Sequence, residues 1–225
     1  MKLKIYAFIF ARKNSKRLKN KNIKKINNKE LITYSINLAK KIKSISKIFV
    51  SSDSSKIISI AKREKVYFIN RPHKLCRDNS NEILSWQHAI NFLKDKNDNF
   101  DIFLSLPATA PLRSIKDVQK LIKTFIVQKS DLTICVSKTH RLPAFNLVQL
   151  SNSGKVKLTE IKKGNYSRNN MYDITTIGYI STPNYILNNK NIFSGNVKSI
   201  LIPRERSLDI DDAYDFKIAK LLLKK

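Results

Sequence analysis

The stretch "LKIYAFIFARKNSKRLKNKN" (residues 3–22) guides the interpretation of the whole chain. Its first nine residues (3–11) are a nearly continuous run of apolar, β-favouring side chains. Such a run is typical of a strand that is buried on both faces of a parallel sheet. Six basic residues follow it, namely Arg12, Lys13, Lys16, Arg17, Lys19 and Lys21. They could form a solvated charge cluster, a nucleic-acid patch or a site for a small polyanion.

Strand-like and helix-like segments alternate outward from this stretch. Short apolar runs recur at 47–53, 66–70, 100–106 and 130–137, and apolar residues at helical spacing lie between them. Ser54 or Ser55 is suited to cap one of these helices, and Ser114 to cap another. This alternation predicts an α/β fold with a mostly parallel sheet and helices on both faces.

The alternation breaks between residues 138 and 172. The segment has no sustained helical or strand period, and "NSG" (152–154) predicts a turn within it. Strands return at 173–181 and 197–203, and a helix ends the chain. We therefore predict one domain over residues 1–225, with 138–172 as a small insertion subdomain.

The loops after the predicted strands are where a ligand is expected, because open parallel sheets bind ligands beyond the carboxyl ends of their strands. Arg and Lys side chains placed there, just before a helix, suit a phosphate group. This position favours a small polyanion such as a nucleoside triphosphate. A P-loop is excluded, because the chain contains no GxxxxGK[ST] motif.

The charge of the chain allows a second interpretation. Lys and Arg number 44 against 17 Asp and Glu, which gives a net charge of +27 and first indicates nucleic acid or an anionic membrane as a partner. The lysines, however, are spread along the whole chain, and abundant Lys, Asn and Ile with only 4 Gly are typical of an AT-rich genome. We favour the compositional explanation and keep a basic nucleic-acid-binding protein as the alternative from a different functional class.

Cysteine, histidine and apolar content predict a soluble, cytoplasmic protein that does not bind a membrane. Cys76 and Cys135 form no CxxC pair, and the three histidines show no ligand spacing, so neither a disulfide framework nor a zinc site is expected. No apolar run approaches the roughly 18 residues of a membrane span.

"SLDIDDAYDF" (207–216) contains a second candidate site. Asp209 and Asp211 alternate, so on an extended segment both carboxylates face the same side. Paired carboxylates near phosphates suit Mg²⁺, which prefers oxygen ligands. Helix capping is the simpler explanation of these two residues, and Asp212 and Asp215 are expected to serve the start of the last helix.

Five motifs in order along the chain resemble the acylneuraminate cytidylyltransferases, the family of CMP-sialic acid synthetases. They are "ARKNSKRLKNKN" (11–22), "SSDSSKIISIA" (51–61), "RPHKLCRD" (71–78), "ATAPLR" (108–113) and "SLDIDDAYDF" (207–216). The resemblance implies a Rossmann-like fold of the nucleotide-diphospho-sugar transferase type and a homodimer formed through a small insertion. It further implies a reaction that couples CTP to a 2-keto-3-deoxy, sialic-acid-like sugar acid and releases pyrophosphate. Activation of 3-deoxy-manno-octulosonate, or another sugar nucleotidyl transfer, is the alternative within enzymes.

The resemblance also implies roles for individual residues. Catalytic roles fall to Arg12, Lys16, Lys21 and Asp211, and nucleotide binding to Ser15, Asn22, Arg71, Asp78 and Ser80. Arg113 and Arg168 are candidates for the sugar acid, and Asp209 and Asp211 for Mg²⁺.

The family's sugar-side element "RRQD" is only partly matched by "SRNNMYD" (167–173), which contains Arg168. Apart from this element, the chain departs from the family pattern in two places. Lys13 and Asn14 replace a Gly-Gly pair, and glycine would allow a positive φ and a close approach of backbone to phosphate. Leu106 and Pro107 stand where the family often has a glutamine that touches the sugar acid. The first departure puts the loop conformation in question, and the second puts the identity of the sugar in question.

Overall fold

The computed structural model describes residues 3–77, 80–139, 147–158 and 171–224. Two candidate site residues, Asp78 and Arg168, lie outside these ranges, as does much of the predicted insertion. Within the described residues the centre of the fold is a seven-stranded sheet. Its strands are β1 (Ile5–Phe10), β4 (Ile45–Ser52), β5 (Tyr67–Asn70), β6 (Ile102–Ser105), β7 (Leu132–Lys138), β10 (Tyr172–Ser181) and β11 (Val197–Leu201). Two small ribbons pair β2 (Lys25–Ile26) with β3 (Lys29–Glu30) and β8 (Val148–Leu150) with β9 (Val156–Leu158).

The strand order is β11-β7-β10-β6-β1-β4-β5. Strand β1 is parallel to both of its neighbours, and the β4–β5 and β7–β11 pairs are also parallel. Strand β10 runs antiparallel to β6 and β7. The predicted mostly parallel sheet is confirmed, with β10 as an antiparallel member. Because β10 pairs with β6 only through Tyr179–Ser181, its earlier residues extend past the carboxyl end of β6.

Helices cover both faces of the sheet, as predicted. Their bounds are α1 (Leu31–Lys40), α2 (Ser55–Arg63), α3 (Glu82–Lys94), α4 (Ile115–Gln128), α5 (Pro183–Asn188) and α6 (Ala213–Leu222). Helices α1, α2 and α4 share one hydrophobic cluster with the sheet, whereas α3 and α5 share another. The short helix α5 was not predicted, since six residues carry too little periodicity to distinguish a helix from a loop.

Burial on both faces explains the apolar run of β1. Ile5, Ala7 and Ile9 belong to the cluster under α1, α2 and α4, whereas Tyr6 and Phe8 belong to the cluster under α3. Successive side chains of a strand point to opposite faces, so a strand covered on both faces needs apolar residues at every position. The strand is therefore fixed at the centre of the fold, and its carboxyl end delivers the basic loop to one edge of the sheet.

A third hydrophobic cluster brings the end of the chain to the same edge. Ile210 and Ala219 pack against Leu18, Ile26 and Leu31, which flank the basic loop. The Ile210 amide also donates to the Thr109 carbonyl oxygen at 2.9 Å. Segment 207–212 thus lies beside the loop after β1, although nearly the whole chain separates them.

The described part of the predicted insertion is the β8–β9 hairpin. Gly154 adopts a φ of +80° in its turn, which confirms the turn predicted at "NSG". The apolar side chains of Val148, Leu150 and Val156 are 49%, 70% and 58% exposed. None of the described helices has the length and apolar character required to cross a membrane.

Candidate active site

A cavity of about 510 Å³ opens at the carboxyl edge of the sheet. One wall comes from the loop after β1, and the facing wall comes from the segment between β5 and the first turns of α3. Thr109 and Asp211 complete the lining. The lining residues are Phe10, Arg12, Ser15, Lys16, Arg17, Lys21, Asn22, Arg71, Leu75, Cys76, Arg77, Ser80, Glu82, Ser85, Thr109 and Asp211. Eight of the residues proposed from the sequence therefore meet in one place: Arg12, Ser15, Lys16, Lys21, Asn22, Arg71, Ser80 and Asp211.

Buried hydrogen bonds hold the basic loop in shape. Asn22 is 6% exposed, and its side-chain amide donates to the Arg12 carbonyl oxygen at 3.1 Å. Lys21 Nζ donates to the Ile210 carbonyl oxygen at 2.6 Å and contacts Asp211 Oδ1 at 3.1 Å. Arg17 contacts the other oxygen of Asp211 at 2.8 Å. The loop and the terminal segment thus form one polar unit that directs several cations into the cavity.

The loop does not use the conformation for which glycine is suited. Neither Lys13 nor Asn14 is among the residues of positive φ, so both are compatible with ordinary side chains. The Lys13 amide donates to Asp53 Oδ1 at 2.7 Å, which fixes the loop to the end of β4. The replacement of Gly-Gly by Lys13-Asn14 therefore imposes no backbone strain.

Asp209 and Asp211 lie in different surroundings. Asp211 lines the cavity, and its side chain is 38% exposed. Asp209 stands behind it, and its Oδ1 atom is buried without a hydrogen-bond partner among the described residues. Burial raises the pKa of Asp209, and the charge of Asp211 adds to the rise, while Thr109 and Lys21 oppose it. An unpartnered carboxylate oxygen beside a second carboxylate fits a hard divalent cation.

The described residues hold no cluster of three or more His, Cys, Asp and Glu side chains of the kind that encloses a metal ion. Mg²⁺ commonly takes one or two carboxylates from the protein and the rest of its ligands from water and substrate phosphates. A pair such as Asp209 and Asp211, next to a cationic cavity, fits that donor set.

The wall between β5 and α3 carries one hydrogen-bond donor side chain, Arg71, and one acceptor side chain, Glu82. Arg71 is 8% exposed, and its Nη1 donates to Ser85 Oγ at 3.4 Å, whereas its Nε is buried without a partner among the described residues. Glu82 Oε1 accepts from the indole nitrogen of Trp86 at 3.3 Å. The pKa of Glu82 is raised by desolvation and by the charge of Asp209, while the Trp86 N–H and the Arg71 charge oppose the rise.

Arg113 does not line the cavity, although the resemblance made it a candidate for the sugar acid. It is 5% exposed, and its guanidinium donates to the carbonyl oxygens of Ile177 and Pro107 and to the Ser35 hydroxyl. Burial lowers the pKa of Arg113 to about 10. In this position Arg113 joins α1, β10 and the loop after β6, and the geometry gives no support to a sugar contact.

Eight of the sixteen cavity residues were not proposed from the sequence, and Arg17, Glu82 and Thr109 are three of them. Arg17 belongs to the opening motif and could have been proposed with its neighbours. Thr109 lies within "ATAPLR" and could have been proposed on the same ground, whereas Glu82 lies outside the five motifs and gave no such signal. The roles of Asp78 and Arg168 stay predictions, since both lie outside the described ranges.

Comparison with known proteins agrees with this geometry. The family model described as "Cytidylyltransferase" matches residues 6–181. Post-translational flagellin modification protein B of Campylobacter coli is 33% identical, with 98% of this chain and 95% of that protein covered. CMP-N,N'-diacetyllegionaminic acid synthase of Campylobacter jejuni is also 33% identical, with 97% and 94% covered.

A solved structure shares the fold at low sequence identity. CMP:2-keto-3-deoxy-manno-octonic acid synthetase, in complex with CTP, superposes with a TM-score of 0.74 at 13% identity and covers 98% of both chains. The family match spans most of the sheet and the whole basic loop. The flagellin modification protein and the diacetyllegionaminic acid synthase both align over nearly the full length of this chain. This chain therefore belongs to the cytidylyltransferase family, whose members are nucleotidyltransferases.

Proposed function

We propose that this cytidylyltransferase couples CTP to the anomeric hydroxyl of a 2-keto-3-deoxy sugar acid of the nonulosonic type, which yields the CMP-sugar and pyrophosphate. The convergence of eight sequence-proposed residues on one cavity is the observation that carries the proposal. The legionaminic acid synthase among its full-length relatives supports the sugar class. The alternative substrate, 3-deoxy-manno-octulosonate, has less support, because the octulosonate enzyme is only 13% identical and its likeness concerns the fold alone.

The residues of the cavity suit nucleotidyl transfer. Arg12, Lys16 and Lys21 would hold the triphosphate, and the carboxylate of Asp211 keeps Lys21 in place. Transfer requires the sugar hydroxyl to lie in line with the α-phosphorus while cations balance the charge that develops on phosphate. The sugar oxygen is itself the nucleophile, so no covalent intermediate with the protein is needed. Asp209 or Asp211 would take up the proton of the sugar hydroxyl.

Mg²⁺ would be held by Asp209 and Asp211 together with phosphate oxygens of CTP. Bound there, it would neutralise negative charge on the triphosphate. The orphaned Oδ1 of Asp209 supports this assignment.

We also propose a homodimer and a cytoplasmic location. The exposed apolar face of the β8–β9 hairpin supports a contact with a second copy, in the segment where the family resemblance implies one. Two cysteines without a disulfide are consistent with a reducing compartment. Binding of nucleic acid has less support, because four of the six basic loop residues, namely Arg12, Lys16, Arg17 and Lys21, line one cavity.

Pyrophosphate release tests the proposed reaction. The protein is incubated with CTP and Mg²⁺, and single 2-keto-3-deoxy sugar acids are added in turn, including a legionaminic, a pseudaminic, a sialic and an octulosonic acid. We expect release to depend on CTP and on one of the nine-carbon acids. Release with the octulosonic acid alone would select the alternative sugar class, and tight, salt-sensitive RNA or DNA binding without any release would favour the basic-binder alternative.

Asp211→Ala tests the metal assignment in the same assay. We expect turnover to fall by about two or more orders of magnitude, because loss of an electrostatic contact in a transition state commonly costs that much. Asp95→Ala, at an exposed helix end, serves as the matched control. Circular dichroism reports whether the fold is retained. Wild-type turnover by a folded Asp211→Ala protein would contradict the role of Asp211.

A further inference from the structure

A second cavity lies between the basic loop and the start of helix α2. Its volume is about 150 Å³, less than a third of the 510 Å³ of the candidate active site. Its lining residues are Arg12, Lys13, Asn20, Asn22, Ile23, Ser54, Ser55, Lys56 and Ile57. Seven of these nine do not line the candidate active site, and none of the seven has a role in the proposed reaction.

The charge in this lining is entirely positive. Its charged members are Arg12, Lys13 and Lys56, and no carboxylate side chain lies among the lining residues. Neither Lys13 nor Lys56 forms an ion pair with a described residue. The adjacent carboxylate of Asp53 is engaged outside this lining, with its Oδ1 accepting from the Lys13 amide at 2.7 Å and its Oδ2 lying 3.4 Å from Nδ1 of His73. The cavity therefore suits an anion.

The positive end of helix α2 faces the same cavity. The helix spans nine residues, and its first turn contains no acidic residue but does contain Lys56. Its first backbone hydrogen bond runs from the Ile58 amide to the Ser54 carbonyl oxygen at 3.0 Å, so the amides of the three residues before Ile58 have no intrahelical acceptor. A lysine at this end adds to the positive end of the helix dipole, and an anion would balance both.

The hydroxyl of Ser54 is an unused donor in this lining. Ser54 is the N-cap residue of α2 and is only 5% exposed, yet its side chain makes no capping hydrogen bond. Its amide is engaged instead, since it donates to Ser52 Oγ at 3.1 Å. No described residue bonds to Ser54 Oγ, and this atom is not among the fully enclosed unpartnered oxygens, which include Ser51 Oγ. A ligand in the cavity can therefore reach the Ser54 hydroxyl.

A single phosphate group matches both the donors and the size of the cavity. Amides at a helix N-terminus, a hydroxyl and lysine side chains are common donors to phosphate oxygens. Pockets for larger organic ligands typically measure about 300–1,000 Å³. A cavity of about 150 Å³ is therefore too small for a second nucleotide and is suited to a small oxyanion.

We propose that this cavity binds inorganic phosphate at a site separate from the one that holds the triphosphate. Its donors are the Ser54 hydroxyl, the first-turn amides of α2 and the side chains of Lys13 and Lys56. The bound ion bridges the loop after β1 and the start of α2. The site depends on these groups alone and does not require the proposed reaction.

Equilibrium dialysis with radiolabelled inorganic phosphate tests the site. The protein is kept in saturating CTP and Mg²⁺ without a sugar acid, so that the nucleotide fills the candidate active site. We expect the wild type to bind one phosphate per chain. Ser54→Ala and Lys56→Ala should each weaken phosphate binding about tenfold or more, because a hydrogen bond to a charged group is commonly worth that much.

Ser59→Ala and Lys62→Ala are the matched controls, because they make the same changes on the same helix outside both cavities. Both should retain the wild-type affinity for phosphate. In buffer without phosphate, Ser54→Ala should also retain the wild-type midpoint of urea unfolding, because its hydroxyl caps nothing. A lowered midpoint would indicate a capping role for Ser54 and would leave Lys56→Ala to decide the proposal.

Wild-type phosphate affinity in Lys56→Ala, or in a stable Ser54→Ala protein, would overturn the proposal. Absence of phosphate binding by the wild type would overturn it too, as would equal weakening in the two control variants, which would attribute binding to general positive charge. None of these results bears on the proposed reaction, which pyrophosphate release tests separately. If CTP did not bind, the proposed function would be wrong, and the same four variants would still locate the phosphate.

Discussion

Arg113 shows how a motif residue acquires a structural role from its surroundings. Its guanidinium donates to three oxygens that belong to α1, to β10 and to the loop after β6, and almost none of it reaches solvent. The Ser35 hydroxyl also donates to the Pro107 carbonyl oxygen at 3.0 Å, so these groups form one buried network around Arg113. The sequence shows an arginine next to a proline-rich loop, which is equally compatible with a ligand contact, so the distinction required the tertiary structure.

Arg113→Lys is expected to lower the free energy of unfolding by about 3 kcal/mol, because a lysine cannot bridge three separated acceptors and a buried charge remains. In the fraction that folds, KM for the sugar acid should be unchanged. Urea denaturation and initial-rate kinetics check the two parts. A raised KM with wild-type stability would restore the sugar-binding role instead.

Lys13 and Asn14 show that the identity of a residue can suggest a strained backbone where the structure has none. Their identities suggested a strained or altered loop, since glycine is expected where backbone approaches phosphate. Both residues adopt negative φ, and the Lys13 amide bonds to Asp53. The loop conformation is thus set by contacts with the end of β4, which are not evident from local sequence.

Capping explains why α4 begins where the sequence predicts. Ser114 and Asp117 form a reciprocal capping box, and Asp117 also accepts two hydrogen bonds from Arg206 at 2.9 and 3.0 Å. Burial by itself would raise the pKa of Asp117, but the Arg206 hydrogen bonds and those from Ser114 lower it below its ordinary value. The contact ties the start of α4 to the segment that leads to Asp209.

The Asp117 contact predicts a loss of stability in acid. A carboxyl group whose folded pKa is lowered contributes fully above its unfolded value of 3.8, and the contribution disappears as the pH falls through the lower, folded pKa. Asp117→Asn should therefore cost about 2 kcal/mol of unfolding free energy at pH 7 and progressively less below about pH 4.

Urea denaturation of the wild type, Asp117→Asn and the exposed control Asp95→Asn across this pH range measures the effect. Asp95 lies at the end of α3, away from Arg206. An Asp117→Asn penalty that stayed constant with pH would show that the carboxylate charge does not contribute.

The start of helix α6 could be predicted from the sequence, whereas the direction of strand β10 could not. Asp212 and Asp215 were expected at the start of the last helix, and they form its capping box. Strand β10 carries buried apolar residues, as the parallel strands do, and the direction of a strand leaves no mark on its own residues. Its antiparallel course, which carries it past the end of β6, follows from chain topology alone.

At the scale of the whole molecule, the net charge of +27 does not determine the function. The cations that matter are the few in the loop after β1, which lie at the carboxyl edge of the sheet and face a carboxylate from the end of the chain. The remaining lysines are distributed along the sequence and are consistent with its overall composition.

The exposed hairpin predicts the assembly state. Leu150→Lys combined with Val156→Lys replaces two apolar side chains of the β8–β9 ribbon that are 70% and 58% exposed. We expect the wild type to sediment as two copies of the 26.0 kDa chain and the double variant as one, because charge on an apolar contact disfavours association. Lys123→Glu on α4 serves as a surface control for charge change. A double variant that stayed dimeric would place the contact elsewhere.

The sequence by itself determined the family, the α/β class and half of the residues that line the cavity. This was possible because burial on both faces requires continuous apolar strands, and because ligand residues follow those strands in short motifs, as in residues 11–22 and 71–78. The family and the fold class are confirmed. Tertiary structure alone decided the burial of Arg113 and the place of Glu82 in the cavity lining. Each of these depends on contacts between residues far apart in the chain, and such contacts leave no periodic or local signal in the sequence.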